Sequence, residues 1–435
     1  MRELRPHQLR AVSETRRAVA AGSKSILLVA PAGSGKTTIA ASIGGGTVKK
    51  GRRLAWFAHT RELVEQARAT LALFGAGSQF VGTYQGAAAS GTAPDADVVI
   101  FDEAHHLEDG NDWSRVAAAY AGKVRIGLTA TPERADGSAL HGFETMVVAA
   151  QYSELLAAGL LVPCRILSTS RGLKGKEILQ RPVDAYQAHA RGTIAVVFGG
   201  TVAACEEFAA EFRAAGVPSE VVHGKLSAAE RDARLARWRS GQTRVVCNVG
   251  ILTEGFDFPA IQTVILARGC GSCGLFIQMT ARGLRPSPGK AEMLLLDLVG
   301  ASQPPPRGHG KPTDDRIYSL DGVGIRLAGA EQGPSFCRVC AQPTPCACPK
   351  DPETGLPVVV GGELEPWKEA MRAEPASKQA QRLGRWIADA RGKGHKESSA
   401  GFKFKAVFGR FPDRALMAQA QRFADEEMAR RARVA

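Results

Sequence analysis

The chain has 435 residues, too many for one hydrophobic core, so two to three domains are expected. Its hydrophobic content of 44% and charged content of 23% are those of a globular protein rather than a disordered or fibrous one. The net charge of +13 is less ordinary and favours polyanionic partners through counterion release.

The opening MRELRPHQLR is polar, without a basic-then-apolar signal, and no apolar run approaches the roughly 18 residues needed to span a bilayer. A cytoplasmic protein with no membrane contact is the expectation. Its nine cysteines then stay reduced, and clustered ones suggest metal.

In chain order, SILLVA (25–30), RLAWFAH (53–59), DVVIFD (97–102) and VRIGLTA (124–130) read as buried strands. Helical stretches such as RELVEQARATLALF (61–74) lie between them, which implies a parallel sheet covered by helices on both faces. The first strand runs into APAGSGKTT (30–38), the setting of a phosphate-binding loop. There Gly33 and Gly35 let the backbone curl around an anion beside Ser34 and Thr38, Lys36 reaches the outer phosphates and Thr37 ligands Mg²⁺. Ala30 stands where the strict pattern has Gly. The third strand delivers DEAHH: Asp102 is placed to hold the same Mg²⁺, and Glu103 to orient and polarise the water attacking a terminal phosphate. From the residues alone His105 stays open between a surface imidazole and a functional one, and His106 is unassigned.

A second strand set follows in IAVVFGG (194–200), SEVVHG (219–224), TRVVCNV (243–249), TVILARG (263–269) and MLLLDLV (293–299). The expected organisation is one α/β domain over 1–162, a second over 163–300, and a Pro- and Gly-rich linker over 301–335. A cysteine cluster occupies 336–350 and a basic helical region 351–435. Residues 366–435 hold 16 Lys and Arg against 8 Asp and Glu, which points to this tail as a nucleic-acid contact.

In the family's order, these segments resemble the motifs of superfamily 2 helicases and translocases of the DEAD/DEAH-box type. The resemblance implies an α/β fold of two tandem RecA-like domains with parallel sheets, plus a small zinc-binding segment and a helical basic C-terminal region. LRPHQ (4–8) looks like the adenine-recognition motif, with Arg5 and Gln8 as contacts. AHTRELVEQ (58–66) and VGTYQG (81–86) are similar to strand-contact motifs, which implies roles for Thr60, Arg61 and Thr83. LTATP (128–132) resembles the motif that couples nucleotide to nucleic acid, with Thr129 and Thr131 as relay hydroxyls and His105 joined to them. In the second half VVHGKLSAAER (221–231) carries His223, and NVGILTEGFDFP (248–259) implies Thr253 on the nucleic-acid backbone with Gly255 and Asp257 lining the nucleotide cleft. QMTARGLR (278–285) resembles the arginine-finger motif: Gln278 lies at the nucleotide, Arg285 is the first choice of finger and Arg282 the second. Ala281 stands there where the family usually has Gly.

CRVCAQPTPCAC places Cys337, Cys340, Cys346 and Cys348 at a spacing that suits tetrahedral zinc, while Cys270 and Cys273 read as ordinary thiols. The cysteine cluster after an uninterrupted core looks like the RadD-like bacterial and phage group. In the tail, Phe402, Phe404, Phe408 and Phe411 interleave with Lys403, Lys405 and Arg410, either as a stacking surface or as a small helical core. The expectation is an ATP- and Mg²⁺-dependent DNA helicase or translocase with a structural Zn²⁺, RNA staying open as a substrate. Single-stranded-DNA-binding or recombination and replication proteins are the protein partners to look for, and the oligomeric state is unknown. The rival readings are the motor of a restriction-type complex and an ATP-switched clamp that does not unwind.

Overall fold

The computed structural model describes residues 3–91, 94–107, 111–134, 137–171, 173, 176–253, 256–305, 308–322, 324–327, 358–367, 376–392, 398, 400–401, 412 and 414–432. Its first domain is built on strands β1 (Ser25–Val29), β2 (Leu54–Ala58), β3 (Phe80–Thr83), β4 (Val98–Phe101), β5 (Val124–Thr129) and β6 (Thr145–Val148). They form one parallel sheet in the order β3-β2-β4-β5-β1-β6. All residues of β1, β2 and β4 are buried, as expected of a sheet covered on both faces.

Around the sheet run α1 (Pro6–Ala20), α2 (Lys36–Val48), α3 (Arg61–Leu73), α4 (Tyr84–Ser90) and α5 (Asp112–Ala118). Side-chain oxygens of Thr60, Thr83 and Asn111 accept backbone N–H groups in the first turns of α3, α4 and α5, which fixes where each helix starts. A short α6 (Tyr152–Ala157) leads out of the domain.

The second domain repeats the design. After β7 (Cys164–Ser168) and a two-residue β8 (Glu177–Ile178) come β9 (Ala195–Gly199), β10 (Ser219–His223), β11 (Val245–Val249), β12 (Thr263–Ala267) and β13 (Met293–Asp297). The order is β10-β11-β9-β12-β13-β7, all parallel. Its helices are α7 (Pro182–His189), α8 (Val202–Ala214), α9 (Ala228–Arg239) and α10 (Cys273–Thr280). The two domains share one apolar cluster: Leu27, Val29, Leu140 and Tyr152 of the first pack in the same core as Val264, Phe276, Leu284 and Leu295 of the second.

Residues 301–327, read above as linker, are built into the fold. The reason is polar. Buried Asp297, at the end of β13, accepts from Ser168 Oγ (2.8 Å), Ala301 N (3.0 Å) and Ser302 N (2.7 Å), drawing the chain back on itself at Gly300. Buried Arg316 then donates to the carbonyls of His309 and Lys311, both at 2.6 Å. The segment closes in an antiparallel hairpin of β14 (Arg316–Tyr318) and β15 (Ile325–Leu327). Farther on, β16 (Val358–Val359) pairs with β8, and β17 (Glu365–Pro366) adds an antiparallel edge to β7. The last helices, α11 (Ala376–Gly392) and α12 (Arg414–Ala432), pack through their own small core of Leu383, Ile387, Leu416 and Ala420.

Candidate nucleotide site and interdomain relay

β1 ends in a loop whose two left-handed glycines, Gly33 (φ 89°) and Gly35 (φ 83°), turn the chain into α2 at Lys36. The turn is crowded: a Cβ at Gly33 would lie 2.7 Å from Leu161 Cδ2, and one at Gly35 would collide with the Gln8 amide. Ser34 is fully buried and its hydroxyl donates to Pro31 O at 2.6 Å. Its carbonyl accepts from Gln8 Nε2 (2.9 Å) and His7 Nε2 (2.8 Å), so His7 carries its proton on Nε2. Gln8 Oε1 in turn takes the backbone N–H of exposed Arg5. The first turn of α1 thus holds the loop from behind. Sequence reading named Arg5 and Gln8 but passed over His7, although it sits between them in LRPHQ.

Lys36 reaches the end of β4, where its Nζ lies 2.6 Å from Glu103 Oε1 and 3.3 Å from Asp102 Oδ1. Burial works to lower the lysine pKa, yet the two carboxylates outweigh it and hold the value above the ordinary one. Asp102 is pushed up by burial, a shift that Lys36 opposes and Glu103 reinforces. One ammonium therefore faces two carboxylates, and Thr37, the next residue of α2, carries a hydroxyl. Hard oxygen donors of this kind, a carboxylate and a hydroxyl, suit Mg²⁺. Half-buried Thr37 and buried Thr38 both lie in the first turn of α2.

Glu103 has φ 51°, the one non-glycine residue with a left-handed backbone among the described residues. Its N–H donates to Asp102 Oδ1 at 3.0 Å as the chain bends into a single 3-10 turn over Ala104–His106. That bend buries His105 and points its ring toward β5.

His105 Nδ1 lies 3.1 Å from Thr129 Oγ1, and that hydroxyl donates to Thr131 O (2.9 Å). Because the hydroxyl proton is spent on Thr131, the imidazole must donate from Nδ1, which leaves Nε2 as an acceptor. Gln278 of α10 fits this tautomer: its Nε2 lies 3.3 Å from His105 Nε2 and 3.2 Å from Thr131 Oγ1, matching its two amide protons. The four residues form one hydrogen-bonded network across the two domains. Gln278, expected at the nucleotide, has its amide in this relay instead.

The remaining second-domain residues form their own cluster. Arg282 donates to Thr253 O and to Phe256 O (2.6 Å), Arg285 pairs with Asp257, and the Thr253 hydroxyl donates to Gly250 O at 2.8 Å. Both guanidinium groups are thus engaged by the loop of their own domain. Gly255 lies outside the described residues, as do Cys337, Cys340, Cys346 and Cys348. Thr60 and Thr83 cap helices, Arg61 is exposed, and His223 Nδ1 accepts from Lys225 N at 3.2 Å.

Three residues beyond the expected set serve the site. Tyr84 donates to Asp102 O at 3.0 Å, fixing the end of β4. Lys290, largely buried, donates to Arg285 O (2.9 Å) and Pro259 O (3.0 Å). Glu133 accepts from Gly274 N across the domains. Tyr84 stands inside VGTYQG, where the reading stopped at Thr83, and Lys290 and Glu133 stand just past quoted motifs.

Known families match both halves of the chain. Residues 1–91 and 80–134 match the model described as type III restriction enzyme, res subunit, and residues 177–287 match the helicase conserved C-terminal domain. Helicase-type domains are thus matched in both halves of the chain. A 51.5 kDa protein of a Lactococcus phage is 28% identical over 282 residues, covering 60% of this chain and 62% of that one. The DNA 3'-5' translocase XPB2 of Sulfurisphaera tokodaii is 25% identical over 258 residues, 46% of this chain and 58% of its own. The chain therefore spans less than two thirds of either relative's length. A fragment assigned as an HsdR subunit of a type I restriction enzyme from Vibrio vulnificus shares the fold, with a TM-score of 0.54 and 19% identity over 72% of this chain and 68% of that one. The fold is α/β with tandem RecA-like domains.

Proposed function

We propose that this chain is an ATP-driven motor that moves on or remodels DNA. The observation that carries the reading is a buried Lys36–Asp102–Glu103 cluster wired to the second domain through His105 and Gln278. The loop at Gly33–Lys36 would seat the outer phosphates of ATP, with Arg5 and Gln8 beside the base. Thr37 and Asp102 would hold Mg²⁺, which neutralises charge on the phosphates when bound. Glu103, leaving Lys36 to the phosphates, would accept the proton of the attacking water. Arg285 and Arg282 would exchange Asp257 and the loop carbonyls for the terminal phosphate as the domains tighten. Thr60, Arg61, Thr83, His223 and Thr253 are the residues proposed to face the polynucleotide.

The choice of DNA draws on the translocase relative and on the TATP form of the coupling motif. A motor acting within a restriction-type complex is the second reading, favoured by the match of residues 1–134 to a restriction subunit. ATP turnover measured alone and with single strand, duplex, fork and RNA tests both. Stimulation by DNA, abolished in Lys36→Ala and Arg285→Ala, is the expected result, and indifference to every polynucleotide would reject the reading. Unwinding or triplex displacement by the isolated chain would favour the free motor over the subunit and over a non-unwinding clamp.

The spacing of Cys337, Cys340, Cys346 and Cys348 supports a structural zinc, as in a RadD-like protein. Elemental analysis should return one zinc per chain, lost in Cys340→Ser; a metal-free native protein would remove zinc from the account.

A further inference from the structure

Glu133 follows the relay threonines and is 4% exposed. Its carboxylate accepts the backbone N–H of Gly274, the second residue of α10 in the other domain. The approach is close enough to dictate the residue opposite. A Cβ at Gly274 would stand 2.8 Å from Glu133 Oε1 and 3.2 Å from Thr131 Cβ. From another side the turn of the β14–β15 hairpin presses on the same segment: a Cβ at Gly324 would strike Pro132 O and lie 2.8 Å from Glu133 Cβ. That turn is bonded to the first domain through Gly324 N to Gly137 O (3.2 Å) and Ala139 N to Gly322 O (2.9 Å). Its base is bonded there too, by Gln151 Nε2 to Arg316 O (2.9 Å) and Ser153 Oγ to Asp315 Oδ2 (2.6 Å). Segments on either side of Thr131–Glu133 thus clasp it, and Glu133 supplies the carboxylate in the grip.

We propose that Glu133 is a positioning residue that docks the first turn of α10 on the first domain, with the β14–β15 hairpin backing it. A carboxylate on a helix N-terminal N–H is a charge-assisted bond that also favours the helix dipole. Through α10 it sets where Gln278 meets His105 and where the chain leaves toward Arg282 and Arg285. Removing the carboxylate leaves a buried donor unpaired and lets that turn swing. The seat of the phosphates, on β1 and α2, is untouched. The kinetic side of the proposal rests on the ATP-motor reading above; the docking side does not.

Two measurements on the full chain keep these apart. Hydrogen exchange read by mass spectrometry over residues 273–280 should speed up about tenfold or more in Glu133→Ala, with β1 and β9 protected as in wild type. Glu133→Gln, which keeps an acceptor oxygen, should stay near wild type. Equal exchange in all three proteins would overturn the proposal whatever their activity. In DNA-stimulated ATP turnover, Glu133→Ala should lose about tenfold in kcat with KM for ATP within about twofold, and Glu133→Gln should restore most of it. Wild-type kcat in Glu133→Ala, beside a DNA-stimulated wild type, would also overturn it. A wild type that no polynucleotide stimulates would instead reject the motor reading, and the exchange rates would then decide the role of Glu133.

Discussion

Glu103 combines two features that work against stability. It holds a left-handed backbone, a conformation worth about 1–3 kcal/mol in a residue with a side chain. It also adds a second carboxylate beside Asp102 where Lys36 supplies one positive charge. Such surplus is retained where activity requires it. Glu103→Gln should therefore lower ATP turnover by about a hundredfold or more while raising the melting temperature rather than lowering it. A calorimetric scan beside a turnover assay checks both signs, and a destabilised variant would show that the carboxylate is structural. Lys290 offers a second residue-scale test. Burial first, and then neighbouring Arg285, lowers its pKa to about 8 from 10.5. The folded chain sheds this proton before the unfolded chain does, so this group adds stability as pH rises from about 8 to about 10.5. The difference in unfolding free energy between wild type and Lys290→Met should accordingly shift toward wild type across that window, measured by urea titration at several pH values. A difference flat with pH would remove Lys290 as its source. Lys36, Asp102 and Glu103 were legible as candidates in the sequence because a glycine loop and a strand end carry them, whereas His105 stayed open until the resemblance joined it to the threonines. The place of Gln278 was not legible, since its partners come from the other domain and only docking decides whether an amide meets phosphate or imidazole.

At the scale of elements, each sheet ends in a parallel edge strand whose outward carbonyls need partners. In the first domain Arg68 of α3 donates to Val81 O of β3 at 3.0 Å. In the second, Arg234 of α9 donates to Val221 O of β10 at 2.7 Å, and Arg213 of α8 to Ser219 O at 3.1 Å. Charged side chains on an edge block pairing with another chain. Arg234→Ala should leave Val221 O open and increase concentration-dependent light scattering, more so combined with Arg213→Ala, while far-UV dichroism stays unchanged. A scattering curve identical to wild type would leave Arg234 to its ion pair with Glu230 and remove edge protection from the account. The same edges explain which strands escaped sequence reading. The recognised strands β1, β2, β4, β9, β12 and β13 are unbroken buried runs, and even edge strand β10 keeps three of five residues buried, whereas in β3 one of four residues is buried and in β6 one of four. β7 was missed although it joins β13, because CRILS mixes polar and apolar residues in a run of only five. The Pro- and Gly-rich stretch after β13 misled in the opposite direction: its composition is that of a linker, and only the buried Asp297 and Arg316 show why it folds back.

For the whole molecule, the distribution of charge matters more than its sum. Residues 376–435 carry 14 Lys and Arg against 6 Asp and Glu, so +8 of the +13 lies in this final stretch. The helical core of α11 and α12 accounts for Leu383, Ile387 and Leu416, but a core gives no reason for the excess of cations. A polyanion does. If the basic run around Lys403, Lys405 and Arg410 neutralises phosphates, each cation removed takes about 0.9 from the slope of log affinity against log salt. Lys403→Gln, Lys405→Gln and Arg410→Gln combined should then flatten that slope by about 2 to 3, measured by fluorescence anisotropy on duplex DNA. ATP turnover at saturating DNA should hardly change, since Lys36, Glu103 and the relay through Gln278 belong to the two sheet domains. A flattened slope with turnover intact would make the tail a tether that keeps the motor on its track. An unchanged slope would leave the +8 as solvated charge and return polynucleotide contact to the residues proposed above to face it, Thr60, Arg61, Thr83, His223 and Thr253.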